Sequence, residues 1–196
     1  MKGAAATHAR RDILRAAARL FQERGYEATS MQDVASALRL SKGALYHHFQ
    51  SKDEILFEIM NHGLDVFDEE VLNVVRQIPD PVERLRACIA RHIRMLLRGR
   101  DREITVILHE NRTLPSRLRK LINARKKDYI RFLEETIEAV QKQRRIKNGI
   151  SPRSAAFALL GMINWVYQWY RPGGSLSEEQ LIRDYTTIFF NGLTAA

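Results

Sequence analysis

Residues 29–54 read TSMQDVASALRLSKGALYHHFQSKDE, and this stretch decides the fold. Ser30 stands three residues before Asp33, the spacing at which a capping hydroxyl and an acid satisfy each other's terminal amides, so a short helix is expected over Met31–Leu38. Ser41 caps a second over Lys42–Phe49, and Ser51 with Glu54 opens a longer one that runs to about Ile78. Two short helices thus meet across Arg39–Ser41, the arrangement a helix-turn-helix needs to lay its second helix in a major groove while the first braces it. Val34, Ala35 and Leu38 face inward from the first helix, and Leu45 with Phe49, one turn apart, anchor the second. Lys42, Gly43, Ala44, Tyr46, His47 and Gln50 are left facing outward, a mix suited to phosphates, base edges and a thymine methyl. The helix starts at Ser30, Ser41 and Ser51 add backbone donors for phosphate.

Working outward, Ile13, Leu14, Ala17, Leu20 and Phe21 form the apolar face of a first helix that closes at Gly25, with Arg10, Arg11, Arg15 and Arg19 largely off that face. Downstream, Asp80-Pro81 with Glu83 starts a helix that reaches about Arg98 and ends at Gly99. A shorter helix is expected from about Arg102 to Asn111, stopped near Leu114-Pro115, and a long one from Ser116 to about Arg145. Ser151-Pro152 starts the next, which reaches Tyr170 before Arg171-Pro172-Gly173-Gly174, and Ser177 with Gln180 caps a last helix to about Leu193. No alternating run bounded by hairpin turns interrupts the series, so the expected fold is all-α with about nine helices.

The chain has 196 residues, 45% of them hydrophobic, enough to bury a core and unlike a disordered or collagen-like composition. Its net charge of +9 favours anionic partners. A lone Cys88 can form neither an internal disulfide nor a cysteine-rich zinc site, so a cytoplasmic location is expected. No run approaches the roughly 18 apolar residues of a membrane span, and the start lacks a signal-peptide pattern, so no membrane partner is expected. Catalysis finds little support. His109-Glu110 is followed by Asn111-Arg112-Thr113 rather than by the second His of a zinc-protease helix, and His47 and His48 fall on different helix faces. Without a nucleophile elbow, phosphate loop or dinucleotide fingerprint, no catalytic residue, metal ligand or required cofactor is expected.

Charge is unevenly spread: +4 over residues 1–50, −6 over 51–80, +11 over 81–150 and zero over 151–196. Arg112, Arg117, Arg119, Lys120, Arg125, Lys126 and Lys127 crowd the start of the long helix, as a solvated face or as a site for an anionic effector. Phe157 to Tyr170 is apolar on nearly every side, and Leu181, Ile182, Tyr185, Ile188, Phe189 and Leu193 continue the pattern in the last helix. Such helices must be buried on more than one side, which suggests a two-fold dimer interface together with core or the wall of a ligand cavity. Gly161 and Gly192 would permit close helix approach.

Met31-Gln-Asp-Val-Ala-Ser-Ala, Ser41-Lys-Gly-Ala-Leu-Tyr-His-His-Phe and Ser51-Lys-Asp-Glu, with the first helix and the Gly25-Tyr26 close in order, resemble the DNA-binding domain of the TetR family of bacterial transcription regulators. The resemblance covers about residues 10–57. It implies a helix-turn-helix domain over 1–50 and an effector-binding and dimerisation domain over 51–196. Thr29, Ser30, Lys42, Ala44, Tyr46, His47 and Lys52 are then expected DNA contacts, with Gly43 on the same outward face. The family usually carries Gly where this chain has Arg39; a positive φ there would cost about 1 kcal/mol, with the side chain either reaching a phosphate or solvated. The pattern from Ile107-Leu-His-Glu through Leu114-Pro115 to Asn164-Trp165, Trp169-Tyr170 and Pro172-Gly173 resembles the branch governing fatty-acid or steroid degradation, which commonly responds to acyl-CoA thioesters. His109, Arg112, Arg125, Tyr129, Trp165 and Trp169 are the corresponding effector candidates, for an acyl-CoA or another apolar, anionic small molecule. The resemblance implies a homodimeric repressor, paired through its last two helices, that an effector releases from a palindromic operator. The alternative is a helical ligand-binding or interaction protein without a defined operator.

Overall fold

A computed structural model describes residues 2–98, 110–143 and 149–193. Every regular element among them is helical: α1 (Lys2–Arg24), α2 (Met31–Ala37), α3 (Lys42–His48), α4 (Lys52–Phe67), α5 (Pro81–Arg98), α6 (Ser116–Lys142), α7 (Pro152–Asn164) and α8 (Glu178–Leu193). Helix α4 continues through a π-helical stretch, Asp68–Leu72, into Asn73–Arg76, and α7 continues past Trp165 as Val166–Trp169. The helix expected over Arg102–Asn111 lies outside the described residues except for its end, where Glu110–Arg112 form a 3-10 turn. The expected Gly99 stop lies outside them as well, and the long helix ends at Lys142, short of the expected Arg145.

The chain packs as two compact units, Met1–Leu64 with Asp101–Asn123 and Asp65–Arg100 with Ala124–Ala196. This differs from a division at residue 50. Ile55, Leu56, Ile59 and Met60 of α4, and Leu114 and Ile122 beyond it, are buried in one cluster with Ile13, Ala17 and Phe21 of α1. The start of α4 and the first turns of α6 therefore belong to the same core as the helix-turn-helix.

Seven-residue helices do not persist on propensity alone, so α2 and α3 depend on this core and on their caps. Ser30 and Asp33 form the full capping box, and the Ser41 hydroxyl accepts from Ala44 N at 3.1 Å. Between the helices, Leu40 N donates to Ala35 O at 2.9 Å and Arg39 N to Ser36 O at 3.1 Å, the paired bonds of a Schellman turn. That turn requires a left-handed residue, and Arg39 supplies it at φ 56° where Gly is usual.

In the second unit, Asp80 accepts from Glu83 N at 2.8 Å and starts α5 at Pro81 as expected. Leu85, Cys88, Ile89 and Ile93 of α5, Leu133, Ile137 and Val140 of α6, and Ala156, Leu159 and Ile163 of α7 fill the core. Cys88 is a buried free thiol, pushed up to about 12 by its apolar surroundings. Phe67, His92 and Tyr129 meet edge to face, with ring centroids 4.6–5.6 Å apart. Burial pushes His92 down to about 4, so its imidazole is neutral at pH 7.

An unfolded His92 takes up a proton below pH 6.5 whereas the buried one resists until about pH 4. Its contribution to stability is therefore complete above pH 6.5 and is lost as pH falls toward 4. Urea unfolding of wild type and His92→Leu over this range should show the wild type losing up to about 3 kcal/mol more than the variant. Parallel pH profiles would place His92 in solvent contact.

Candidate nucleic-acid interface and effector site

Leu45 and Phe49 are both fully buried, and this fixes the rotation of α3 about its axis. Lys42, Gly43, Tyr46, His47 and Gln50 are consequently exposed and Ala44 is half-buried, as their spacing predicts. The Lys42 ammonium lies 5.8 Å from the Tyr46 ring centroid. Charge, phenol and imidazole thus project together from one turn and a half of helix. Space beyond Gly43 is open, since a Cβ there would meet nothing within 4 Å. A surface of this kind can hold phosphate with Lys42, hydrogen-bond base edges with Tyr46 and His47, and admit a close backbone approach at Gly43.

Other expected contacts are engaged within the protein. Thr29 is only 1% exposed; its hydroxyl donates to Gly25 O at 2.9 Å, so the side chain braces the turn after α1. Lys52 is half-buried; it donates to Tyr26 O at 2.8 Å and its ammonium sits 4.1 Å from the Tyr26 ring centroid, which holds the cation beside the turn after α1 with two further donors. Ser30 is exposed, with its hydroxyl engaged by Asp33. Arg39 is exposed at the turn.

Behind α3 lies a polar lattice that spacing alone does not reveal. Tyr26 donates its hydroxyl to Asp53 at 2.5 Å, and Arg10 reaches His48 O, Glu54 and Glu58. Asp53, Glu54 and Glu58 lie on α4 and Arg10 on α1, so the partners are joined only once the three-helix core has closed. Within the sequence, Arg10 is one of several cations on an amphipathic helix, and nothing marks it out.

The effector candidates divide. Arg125 and Tyr129 stand one turn apart on α6. Arg125 forks onto Asp65 at 2.7 Å and Asp68 at 2.6 Å, where α4 enters its π-helical stretch. Tyr129 is buried, with its hydroxyl 3.4 Å from His92 Nδ1. His92 is likewise buried, packed beside Tyr129. Arg112 belongs to the other unit and is exposed, its carbonyl accepting from Arg119 at 3.1 Å. His109 lies outside the described residues. Trp165 and Trp169 are not walls of an enclosed cavity: at 63% and 41% exposure they stand, with Phe157, on open surface of α7.

An open cleft of about 320 Å³ is lined by Glu70 of the π-helical stretch, by Val74 beyond it and by Arg91, Arg94 and Met95 of α5. Arg91 donates to Glu70 O at 3.0 Å and Arg94 to Glu178 at 3.1 Å. Among the described residues, no group of three or more His, Cys, Asp or Glu side chains is arranged to hold a metal ion.

Residues 13–59 match the family model for bacterial regulatory proteins of the tetR family, and residues 79–193 match that for the tetracyclin repressor-like C-terminal domain. The chain is 46% identical to AibR, crystallised with isovaleryl coenzyme A and operator DNA, over 92% of this chain and 97% of that one, with a TM-score of 0.88. It is 27% identical over 187 residues to the HTH-type transcriptional repressor KstR2 of Mycobacterium tuberculosis (strain ATCC 25618 / H37Rv), covering 94% of this chain and 92% of KstR2. The crystal structure of PfmR from Thermus thermophilus, a TetR family transcriptional regulator, matches with a TM-score of 0.81 at 34% identity, covering 93% and 99% of the two chains.

Tyr46→Ala removes a side chain that is not part of the buried cluster, so the fold should be kept. Affinity for a preferred duplex, followed by fluorescence anisotropy, is expected to fall by about 1–3 kcal/mol. Wild-type affinity in that variant would remove Tyr46 from the interface.

Proposed function

The chain belongs to the TetR family of bacterial transcription regulators, and we propose that it is a homodimeric repressor released from a palindromic operator by an acyl-CoA thioester. The observation that carries the DNA-binding role is the exposed face of α3, held outward by the buried Leu45 and Phe49. The effector class is supported by the 46% identity to AibR, which binds isovaleryl coenzyme A together with operator DNA.

Two recognition helices read successive major grooves only if the dimer spaces them about 34 Å apart. Any ligand that binds a differently spaced conformer more tightly lowers operator affinity by that differential alone. Helices α4 and α6 each contribute residues to both compact units, and Arg125 on α6 grips α4 at Asp65 and Asp68. In this reading an effector carboxyl, phosphate or thioester oxygen competes for Arg125 or for the Tyr129–His92 pair, and the set of α4 changes with it. Apolar acyl groups are suited to the aromatic surroundings of Phe67 and Tyr129.

Exposed Phe157, Trp165 and Trp169 on α7 and Ile188 on α8 support pairing through the last two helices. Gly161, with open space where a Cβ would stand, leaves room for close approach. The two tryptophans are better accounted for by this interface than by the effector. DNA bases, acyl-CoA and a second copy are thereby assigned separate surfaces, and none of them calls for a catalytic group.

The test uses isovaleryl-CoA as the probe. Native mass spectrometry should give a dimer. The wild type should prefer one selected palindrome over random duplex by about 10³ or more at fixed salt, and isovaleryl-CoA should weaken that binding while free isovalerate does not. Arg125→Ala should bind the palindrome normally and respond less to isovaleryl-CoA. A monomer, or binding without sequence preference, overturns the regulator; indifference to isovaleryl-CoA alone overturns the effector class.

A further inference from the structure

We propose that Arg10 is a positioning residue for DNA reading: it locks the C-terminal end of α3 to the first turns of α4, so that the two helices present to DNA as one body. The role rests on α3 being the DNA-reading helix.

The Arg10 guanidinium is the centre of four attachments. Its Nη1 donates to the carbonyl of His48, the last residue of α3, at 2.5 Å. Nε donates to Glu58 Oε2 at 3.0 Å, Nη2 completes the fork onto Glu58 Oε1, and Nη2 also reaches Glu54 Oε1 at 3.3 Å. The guanidinium carbon lies 4.1 Å from the ring centroid of Phe49, the buried residue that ends α3. Glu54 in turn accepts from Gln50 N at 2.7 Å, inside the connection between the two helices.

The last carbonyls of a helix carry no intrahelical partner and the negative end of its dipole, so a cation donating there is favoured twice. A planar fork matters as much as charge, because only Arg can pair side-on with one carboxylate while its remaining donors reach a second carboxylate and a carbonyl. A helix of seven residues has no rigidity of its own to hold Tyr46 and His47 at a fixed angle. Its start is tied by Ser41, and Arg10 ties its end to α4. A shift of α4 is therefore handed to α3 without a loose joint.

A direct phosphate contact and a positioning role predict different salt behaviour. Each phosphate contact contributes to the dependence of affinity on salt, whereas a residue bonded within the protein does not. The test selects a palindrome with the full-length wild type, then measures affinity for it and for a scrambled duplex across a salt series, with dimer mass and circular dichroism recorded for each variant. Arg10→Lys keeps the charge and loses the fork; its preference for the palindrome is expected to fall about tenfold or more, comparable to losing a base contact, with scrambled-duplex affinity and salt slope unchanged. Glu54→Gln/Glu58→Gln removes two negative charges, which through charge alone would tighten binding to every duplex; the lock instead predicts weaker preference for the palindrome.

Wild-type preference in Arg10→Lys, equal tightening on both duplexes in the glutamine variant, or a salt slope lower by about one in Arg10→Met overturns the proposal. So does loss of the folded state in both Arg10→Lys and the glutamine variant, which would make the lattice a requirement of folding. A wild type with no preferred palindrome removes the DNA-reading role of α3 itself, an outcome distinct from failure of the lock.

Discussion

Burial of Leu45 and Phe49 is the constraint on which the rest of the DNA-reading surface depends. Both side chains are removed completely from water, each a gain of about 1.5–3 kcal/mol that a seven-residue helix cannot obtain from its own hydrogen bonds. Once they are seated against α1 and α4, rotation of α3 about its axis is no longer free. Tyr46 and His47 must then face out, whatever their own preferences. The polar groups at both ends of α3 refine a geometry that apolar burial has already chosen.

The same logic explains why the first compact unit is larger than its motif. Leu114, Leu118 and Ile122 cover apolar surface of the cluster built by α1, α2, α3 and the start of α4. Without them a three-helix domain of this size would leave much of its core wet. The cover is supplied by Leu114 and by the first turns of α6, whose later residues pack in the second unit. Two long helices, α4 and α6, therefore contribute residues to both units.

Local chemistry was the legible part of the sequence. Ser30 with Asp33, Ser41, Asp80-Pro81 and Ser177 announce helix starts because a cap needs particular atoms at a fixed offset, and each such bond is formed. Apolar spacing likewise placed Val34, Ala35, Leu45 and Phe49 inside. What spacing could not supply is the competition for a polar side chain after folding. Thr29 has the right chemistry for phosphate, yet its hydroxyl is buried on a nearby carbonyl, and Lys52 gives one of its three donors to another. Trp165 and Trp169 read as the wall of a cavity because hydrophobicity does not say whether a partner is a ligand, the chain's own core or a second copy. Arg10 was hidden for a related reason: its acids lie 44 and 48 residues away, and only the closed fold brings them together.

The acidic stretch over residues 51–80 takes on a meaning that its −6 charge alone does not convey. Asp53 holds Tyr26, Glu54 and Glu58 hold Arg10, and Asp65 and Asp68 hold Arg125. Five acids of one continuous helix are thus spent on fastening it to α1, to the turn after α1 and to α6, and the ion-paired ones are about one third to one half exposed. Partly buried pairs are screened by salt much less than fully solvated charges. Phosphate contacts made by exposed cations weaken steeply as salt rises, through counterion release. The fastenings of α4 consequently outlast the contacts they align: raising salt detaches such a protein from DNA while leaving its reading surface assembled. A ligand that displaced one of these partners would act by the opposite route, changing how α4 is seated without screening any phosphate contact.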